Sequence, residues 1–249
     1  MNNLARGDKK LLNAWAFYDW ANSVYSLTIV STIFPIFYGL LFRTAGLTHI
    51  ALFGMIIKST SVIAFVTALA FAMVVVLSPI LSGIADYLGN KKTFMRFFCY
   101  MGALSSIGLY WFSLEHIYFS LFCYFCGVLG FWGSIVFYNS YLPDIALPEQ
   151  YDAVSAKGYS LGYAGSVLLL IFNLIMVMKP EWIGFTTTNT ETTLTTMRIS
   201  FITVGIWWIG FSSIPFYYLP SHKKNGTKVT KNILFNGFKE LRKVWQELT

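Results

Sequence analysis

Charge is what this chain has least of. Charged residues fill 12% of its 249 positions, about half of the roughly 25% usual in soluble domains, and only 11 of them are acidic. A soluble reading fails on that shortage, because the long apolar runs exceed ordinary core helices and lack the polar faces that would solvate them. Histidine and cysteine are equally scarce, with three of each. His49, His116 and His222 fall at loops, while Cys99, Cys123 and Cys126 fall inside apolar runs, which excludes a disulfide scaffold. Cys123-x-x-Cys126 has the spacing of a redox or zinc pair, yet it lacks other ligands and a polar setting, so small core residues are the favoured reading. No nucleophile–base pair and no metal-ligand cluster stands in the apolar runs. An intramembrane enzyme is therefore disfavoured, and no bound cofactor or metal is implied. A cleavable leader is not apparent, since the first apolar run is too long for one and has no small-residue cleavage pattern.

What is abundant is apolar surface, 56% of the chain. A bilayer core about 30 Å thick takes roughly 20 residues of helix to cross. Six stretches reach that length, at about 14–42, 61–85, 94–114, 118–138, 158–178 and 197–219. Lipid offers no partner to open backbone groups, so each must be a helix. The expected fold is an all-α membrane protein whose six transmembrane helices form two inverted triplets. Residues 1–13 make a short basic tail before it, and 220–249 a basic linker and helix after it. In that last segment Leu234, Phe238, Leu241, Trp245 and Leu248 recur at helical spacing among lysines and arginines, the pattern of an amphipathic helix lying on an inner leaflet or against partner helices.

Basic residues set the orientation. With the amino terminus inside, every lysine and arginine except Arg43, Lys58, Lys179 and Arg198 falls in an inner segment, so both termini are expected to be cytoplasmic. The net charge of +7 then reflects topology and gives no ground for nucleic-acid binding. The threonine-rich stretch between Lys179 and Thr196 reads as a flexible outer connection. Between Asn139 and Lys157 a turn is expected around Pro143, Asp144, Pro148 and Glu149, followed by a short helix from Asp152.

Asp19 is the sharpest single residue. A carboxylate at the centre of a span costs about 2.5–3.5 kcal/mol on insertion scales, so it must face protein or water. Helical spacing sets Asp19, Asn22, Ser23 and Ser26 on one stripe, with Tyr18 and Tyr25 beside it. Such a stripe suits a path for a zwitterionic or hydroxylated solute; the alternative is a carboxylate that braces a neighbouring helix near the interface. A second group of residues has a mechanical rationale. In Gly83-x-x-Asp86-x-x-Gly89-x-Lys91-Lys92, Gly83 allows close helix approach, Gly89 permits a positive-φ reversal, and the lysines pin the turn to the inner surface. Asp86 is an acceptor placed for a helix amino terminus or a basic partner. Asn139 and Asp144 are candidates for an inner gate with basic residues of the other loop. Gly158, Gly162, Gly165 and Ser166 supply a small-residue face for tight helix packing.

At these residues the chain resembles a known group. The Gly83 to Lys92 turn is similar to the loop between the second and third helices of major facilitator transporters. The runs Trp15–Ser23, Tyr138–Asp144 and Gly158–Ser166 resemble more specifically the branch of autophagy-related vacuolar amino-acid effluxers and their bacterial relatives. The resemblance implies a permease that moves a small polar metabolite, with amino acids foremost, by alternating access. It implies that the acid at Asp86 latches this half against a helix of a second half, with Lys91 and Lys92 helping. Two features depart from the superfamily pattern: no arginine stands between Tyr118 and Tyr138, and the fifth span has no Gly-Pro pair, which disfavours drug/proton antiport. Twelve spans are usual there, so the chain reads as the amino-terminal half, with a missing six-helix half or a second copy as partner beside lipid and solute. A truncated or non-transporting scaffold is the other reading. The membrane would be the plasma membrane in a bacterium and vacuolar in a fungus.

Overall fold

The computed structural model describes residues 4–221 and residue 246, with residues 83, 84 and 86–88 described through their backbone. Six long helices carry the described chain: α1 Lys9–Thr44, α2 Ser59–Leu88, α3 Lys91–Gly108, α4 Ile117–Ile145, α5 Tyr151–Met178 and α6 Thr190–Tyr218. Five of them are long and apolar enough to cross a membrane. The exception, α3, is 18 residues long and carries Lys91, Lys92 and Arg96 in its first two turns. The protein is thus a helical, multi-pass membrane protein.

Local chemistry sets the helix ends. Asp8 caps α1, its Oδ1 accepting from the Lys10 amide at 2.7 Å, and Asn189 caps α6 by accepting from the Thr192 amide at 2.8 Å. Gly89, at φ 63°, reverses the chain between α2 and α3, a conformation costly to any residue with a Cβ. α2 itself runs through Gly83 and Asp86 to Leu88, so the turn is only Gly89 and Asn90, and Asp86 lies in the last turn of a helix, not at an amino terminus.

Other expectations also need correction. Pro143 and Asp144 do not form a loop: α4 continues through them to Ile145, because a proline in the last turn forfeits one backbone bond without ending the helix. The threonine-rich connection is helical from Thr190 onward, since Asn189 supplies the cap that composition alone does not reveal. The fold is not purely helical either. Strands β1 (His49–Leu52) and β2 (Met55–Lys58) pair antiparallel between α1 and α2. The amphipathic segment expected at the carboxyl end lies outside the described residues.

Packing follows a simple scheme. α1 packs on α5 and α6, α4 packs on α2 and α3, and α3 meets α6. Exchanging the first three helices for the last three maps that scheme onto itself, as two repeats would require. The core between them is aromatic: Phe34 stacks on Tyr124 at 4.7 Å, and Phe37 meets Phe201 edge-on at 5.2 Å. α3 and α4 touch backbone to backbone, since a Cβ on Gly130 would lie 2.5 Å from Gly102 Cα. α2 is the most exposed span, with Phe65, Val75 and Val76 facing outward.

At the end of the bundle holding the Gly89–Asn90 turn, basic side chains satisfy the orphan carbonyls of helix carboxyl termini. Lys92 Nζ donates to Leu219 O at 2.7 Å and Arg96 Nη2 to Phe216 O at 3.0 Å, both just at the end of α6. Arg6 Nε donates to Ala146 O at 2.9 Å, closing α4. Each cation also opposes the negative end of a helix dipole. Lys92→Met, which keeps the stem and removes the donor, is expected to orphan the Leu219 carbonyl at about 1–3 kcal/mol. Hydrogen exchange should then accelerate at the amides of residues 216–219; unchanged protection there would refute the capping role.

Candidate functional site

The polar stripe of α1 opens onto a cavity of about 430 Å³ walled by α1, α4 and α5. From α1 come Trp15, Asp19, Asn22, Ser23, Ser26 and, further along, Leu27 and Ser31. Ser31 belongs to the wall because α1 changes its winding. Residues Tyr25–Ile33 form a π-helix, whose bonds run from residue i to i+5, and Ser31 Oγ accordingly donates to Ser26 O at 2.9 Å. The wider turn keeps a hydroxyl on the cavity side where a 3.6-residue repeat would carry it away. Such stretches are rare and concentrate at functional sites.

Asp19 is held from two sides. Tyr138 of α4 donates its hydroxyl to Asp19 Oδ2 at 3.0 Å. The Tyr138 ring stacks on Trp15 at 4.2 Å, and Trp15 Nε1 donates to Tyr138 O at 2.9 Å, so donor and carboxylate share one rigid support. On the other side α5 meets α1 around Asp19 through glycines. A Cβ on Gly158 would lie 2.6 Å from Asp19 Oδ2, one on Gly162 2.6 Å from Ser23 Oγ, and one on Gly165 2.9 Å from the Trp20 ring. The glycines let the two helices close while leaving the carboxylate and the serine room.

The remaining wall is aromatic and hydroxylic. α4 adds Phe131, Trp132, Ile135 and Asn139, and α5 adds Ser155, Tyr159, Tyr163 and Ser166. Among the described residues lining the cavity, Asp19 is the sole charged side chain. Asn22 stands beside it, 1% exposed, with its amide nitrogen lacking a hydrogen-bond partner, a costly state for a buried donor. A carboxylate, aromatic faces and hydroxyls together suit an ammonium group with nearby hydrogen-bonding oxygen.

The sequence-predicted residues divide by place. Asp19, Asn22, Ser23, Ser26, Asn139, Gly162 and Ser166 line the cavity, whereas Gly158 and Gly165 lie behind it as the α1 contact. Tyr18 and Tyr25 do not line the path: both are fully buried behind the α4 wall, Tyr18 between Tyr138 and Phe216 and Tyr25 between Phe131 and Trp208. Asp144 meets a basic residue of the other loop, pairing with Lys91 Nζ at 2.7 Å, and Lys91 also donates to Ser140 O at 3.1 Å. Lys92 is directed to α6, away from that pair. Sequence reasoning missed Trp132, Tyr159 and Ser31 as wall residues and Tyr138 as the partner of Asp19. The first two sit at helical spacing from residues already singled out, Trp132 from Asn139 and Tyr159 from Gly162, so a wider stripe would have found them; Ser31 and the Tyr138 bond had no such signal.

A multi-pass helical membrane protein whose first, fourth and fifth long helices wall a solute-sized cavity bearing one carboxylate is the class that fold and site define. The chain belongs to the family described as vacuole effluxer Atg22 like, whose model matches residues 7–249. It is also 31% identical over 229 residues to YxiO of Bacillus subtilis (strain 168), described as an uncharacterized MFS-type transporter, a match covering 92% of this chain and 50% of that protein. The chain therefore spans about half the length of the curated relative it matches. No solved structure matches it.

Gly158→Ala is expected to press on the Asp19–Tyr138 pair and to lower thermal stability in detergent by about 1–3 kcal/mol, the usual cost of overpacking. Because the clash is with the carboxylate, the cost should shrink in the Asp19→Ala background, a coupling that a double-mutant cycle measures. Additive effects would show that the glycine serves something else.

Proposed function

We propose that this chain is the amino-terminal, six-span half of a secondary transporter that carries a small polar solute across the membrane by alternating access. The carrying observation is the cavity wall: one carboxylate, fixed by Tyr138 and given room by Gly158, amid hydroxyls and aromatic faces at the depth of the spans. The first, fourth and fifth spans would form one side of the solute path, and a second six-helix half, or a second copy of this chain, the other. Amino acids are the leading substrate class, supported by a site able to take an ammonium group beside hydroxyls; the family's description as vacuole effluxers supports transport. Both termini would be cytoplasmic, a reading supported by the basic side chains Arg6, Lys91, Lys92 and Arg96 gathered at the Gly89–Asn90 end.

Rocking of two halves requires each half to move as a body. Ties between helix ends serve that need: Lys92 and Arg96 of α3 reach the end of α6, and Lys91 joins the start of α3 to the end of α4. Asp86, by its place in the last turn of α2, would latch this half to its partner. Asn139, on the cavity wall, and the Asp144–Lys91 pair would close the inner side.

The test is uptake of a labelled amino-acid mixture into proteoliposomes holding the whole transporter. Asp19→Asn removes the charge and keeps the shape. Loss of a charge-assisted hydrogen bond of about 1.5–3 kcal/mol should reduce uptake by about 10- to 100-fold while the protein stays monodisperse. Uptake equal to that of the unaltered protein would contradict a solute role for the carboxylate.

A further inference from the structure

The hairpin between α1 and α2 places a large side chain where the backbone least favours one. Leu52 pairs with Met55, so Phe53 and Gly54 make a two-residue turn, with φ of 50° and 79°. Two positive φ values in succession call for Asn-Gly or Gly-Gly, and a bulky residue there is an outlier that points to function. The Phe53 side chain gains no burial in return, being 81% exposed. Ile56 is 80% exposed and Met55 58%.

The two faces of the hairpin differ. Leu52 is buried, and Ile50 and Ile57 pack against the bundle core. The opposite face carries Ala51 and Ile56 toward the tip, while at the base His49 and Lys58 stand directly across from one another. Apolar surface thus gathers at the tip and polar groups at the root, the polarity of a segment lying at a bilayer boundary.

The side of the bundle on which the tip lies decides its surroundings. The Phe53 amide donates to Tyr118 Oη at 3.1 Å, and the two rings meet edge-on at 5.2 Å. Tyr118 opens α4, and helical spacing puts it on one face with Phe122, Leu129 and Gly133. That face looks onto a groove shared with Leu77 and Leu81 of α2 and Phe98 of α3, and Phe122 is 63% exposed. The solute cavity takes chiefly other α4 positions, Phe131, Ile135 and Tyr138, with Trp132 at the border between the two faces. The hairpin tip therefore adjoins an apolar face of the bundle that is exposed at Tyr118 and Phe122.

We propose that the tip Phe53-Gly54-Met55-Ile56 is a membrane-interface anchor. Its apolar side chains enter the boundary between headgroups and acyl chains beside Tyr118, where aromatic residues of membrane proteins concentrate, while His49 and Lys58 remain at headgroup level. The anchor fixes the outer ends of α1 and α2 relative to the bilayer surface.

Spin labels placed one at a time by Phe53→Cys, Ile56→Cys and His49→Cys, in a background carrying Cys99→Ala, Cys123→Ala and Cys126→Ala, test this in phosphatidylcholine proteoliposomes of the whole transporter. Collision with oxygen, which concentrates in lipid, is compared with collision with a water-soluble nickel chelate. The oxygen-to-nickel ratio is expected to be several-fold higher at 53 and 56 than at 49. A ratio at 53 and 56 as low as at 49 would place the tip in water and overturn the proposal. Weak collision with both reagents would place protein over the tip, from the second half of the transporter or another copy, and overturn it equally.

Discussion

A carboxylate in the first membrane-spanning helix constrains everything around it. Left to lipid, Asp19 would cost about 2.5–3.5 kcal/mol, so the bundle is arranged to keep lipid away. α5 gives up side chains at Gly158 and Gly162 to come close, and α4 turns Tyr138 inward to donate. Beside that contact lies the cavity of about 430 Å³, with Asp19 on its wall.

The bundle surrounding that cavity is tied end to end. In lipid a helix terminus cannot leave its last carbonyls to solvent when neighbouring chain covers them. Here Arg6, Lys92 and Arg96 supply the donors. Residues that by composition alone read as topological markers are also structural braces, joining α6 to α3 and the amino tail to α4. The Lys91–Asp144 pair is more exposed, at 18% and 41% of the two side chains, and contributes less stability than the buried caps. Its value lies in position, between the start of α3 and the end of α4.

Much of this was legible in the residues. Apolar runs located the long helices within several residues, and the 3.6-residue repeat put Asp19, Asn22, Ser23 and Ser26 on one stripe. Gly89 marked the reversal between α2 and α3. Where reading failed, a non-local term or a change of period had intervened. Tyr18 and Tyr25 neighbour the stripe in sequence, yet packing against Phe216 and Trp208 draws them into the core. Ser31 reaches the cavity only through the π-winding of Tyr25–Ile33, which no helical periodicity announces. The hairpin was hidden because Phe53 occupies a turn position where Asn or Gly would have signalled it. The bond from Tyr138 to Asp19 spans 119 positions of sequence, and nothing local encodes it.

The central claim is that the face of α1 bearing Asp19 looks onto an aqueous cavity and the face bearing Tyr18 and Tyr25 onto packed protein. Thiol labelling of single cysteines by a charged methanethiosulfonate, in the whole transporter reconstituted into membranes, addresses it directly. Ser23→Cys and Ser26→Cys should react readily, and Tyr18→Cys and Tyr25→Cys should stay unmodified until the protein is denatured. Rapid labelling at 18 and 25 with protection at 23 and 26 would turn the first helix around and remove the site.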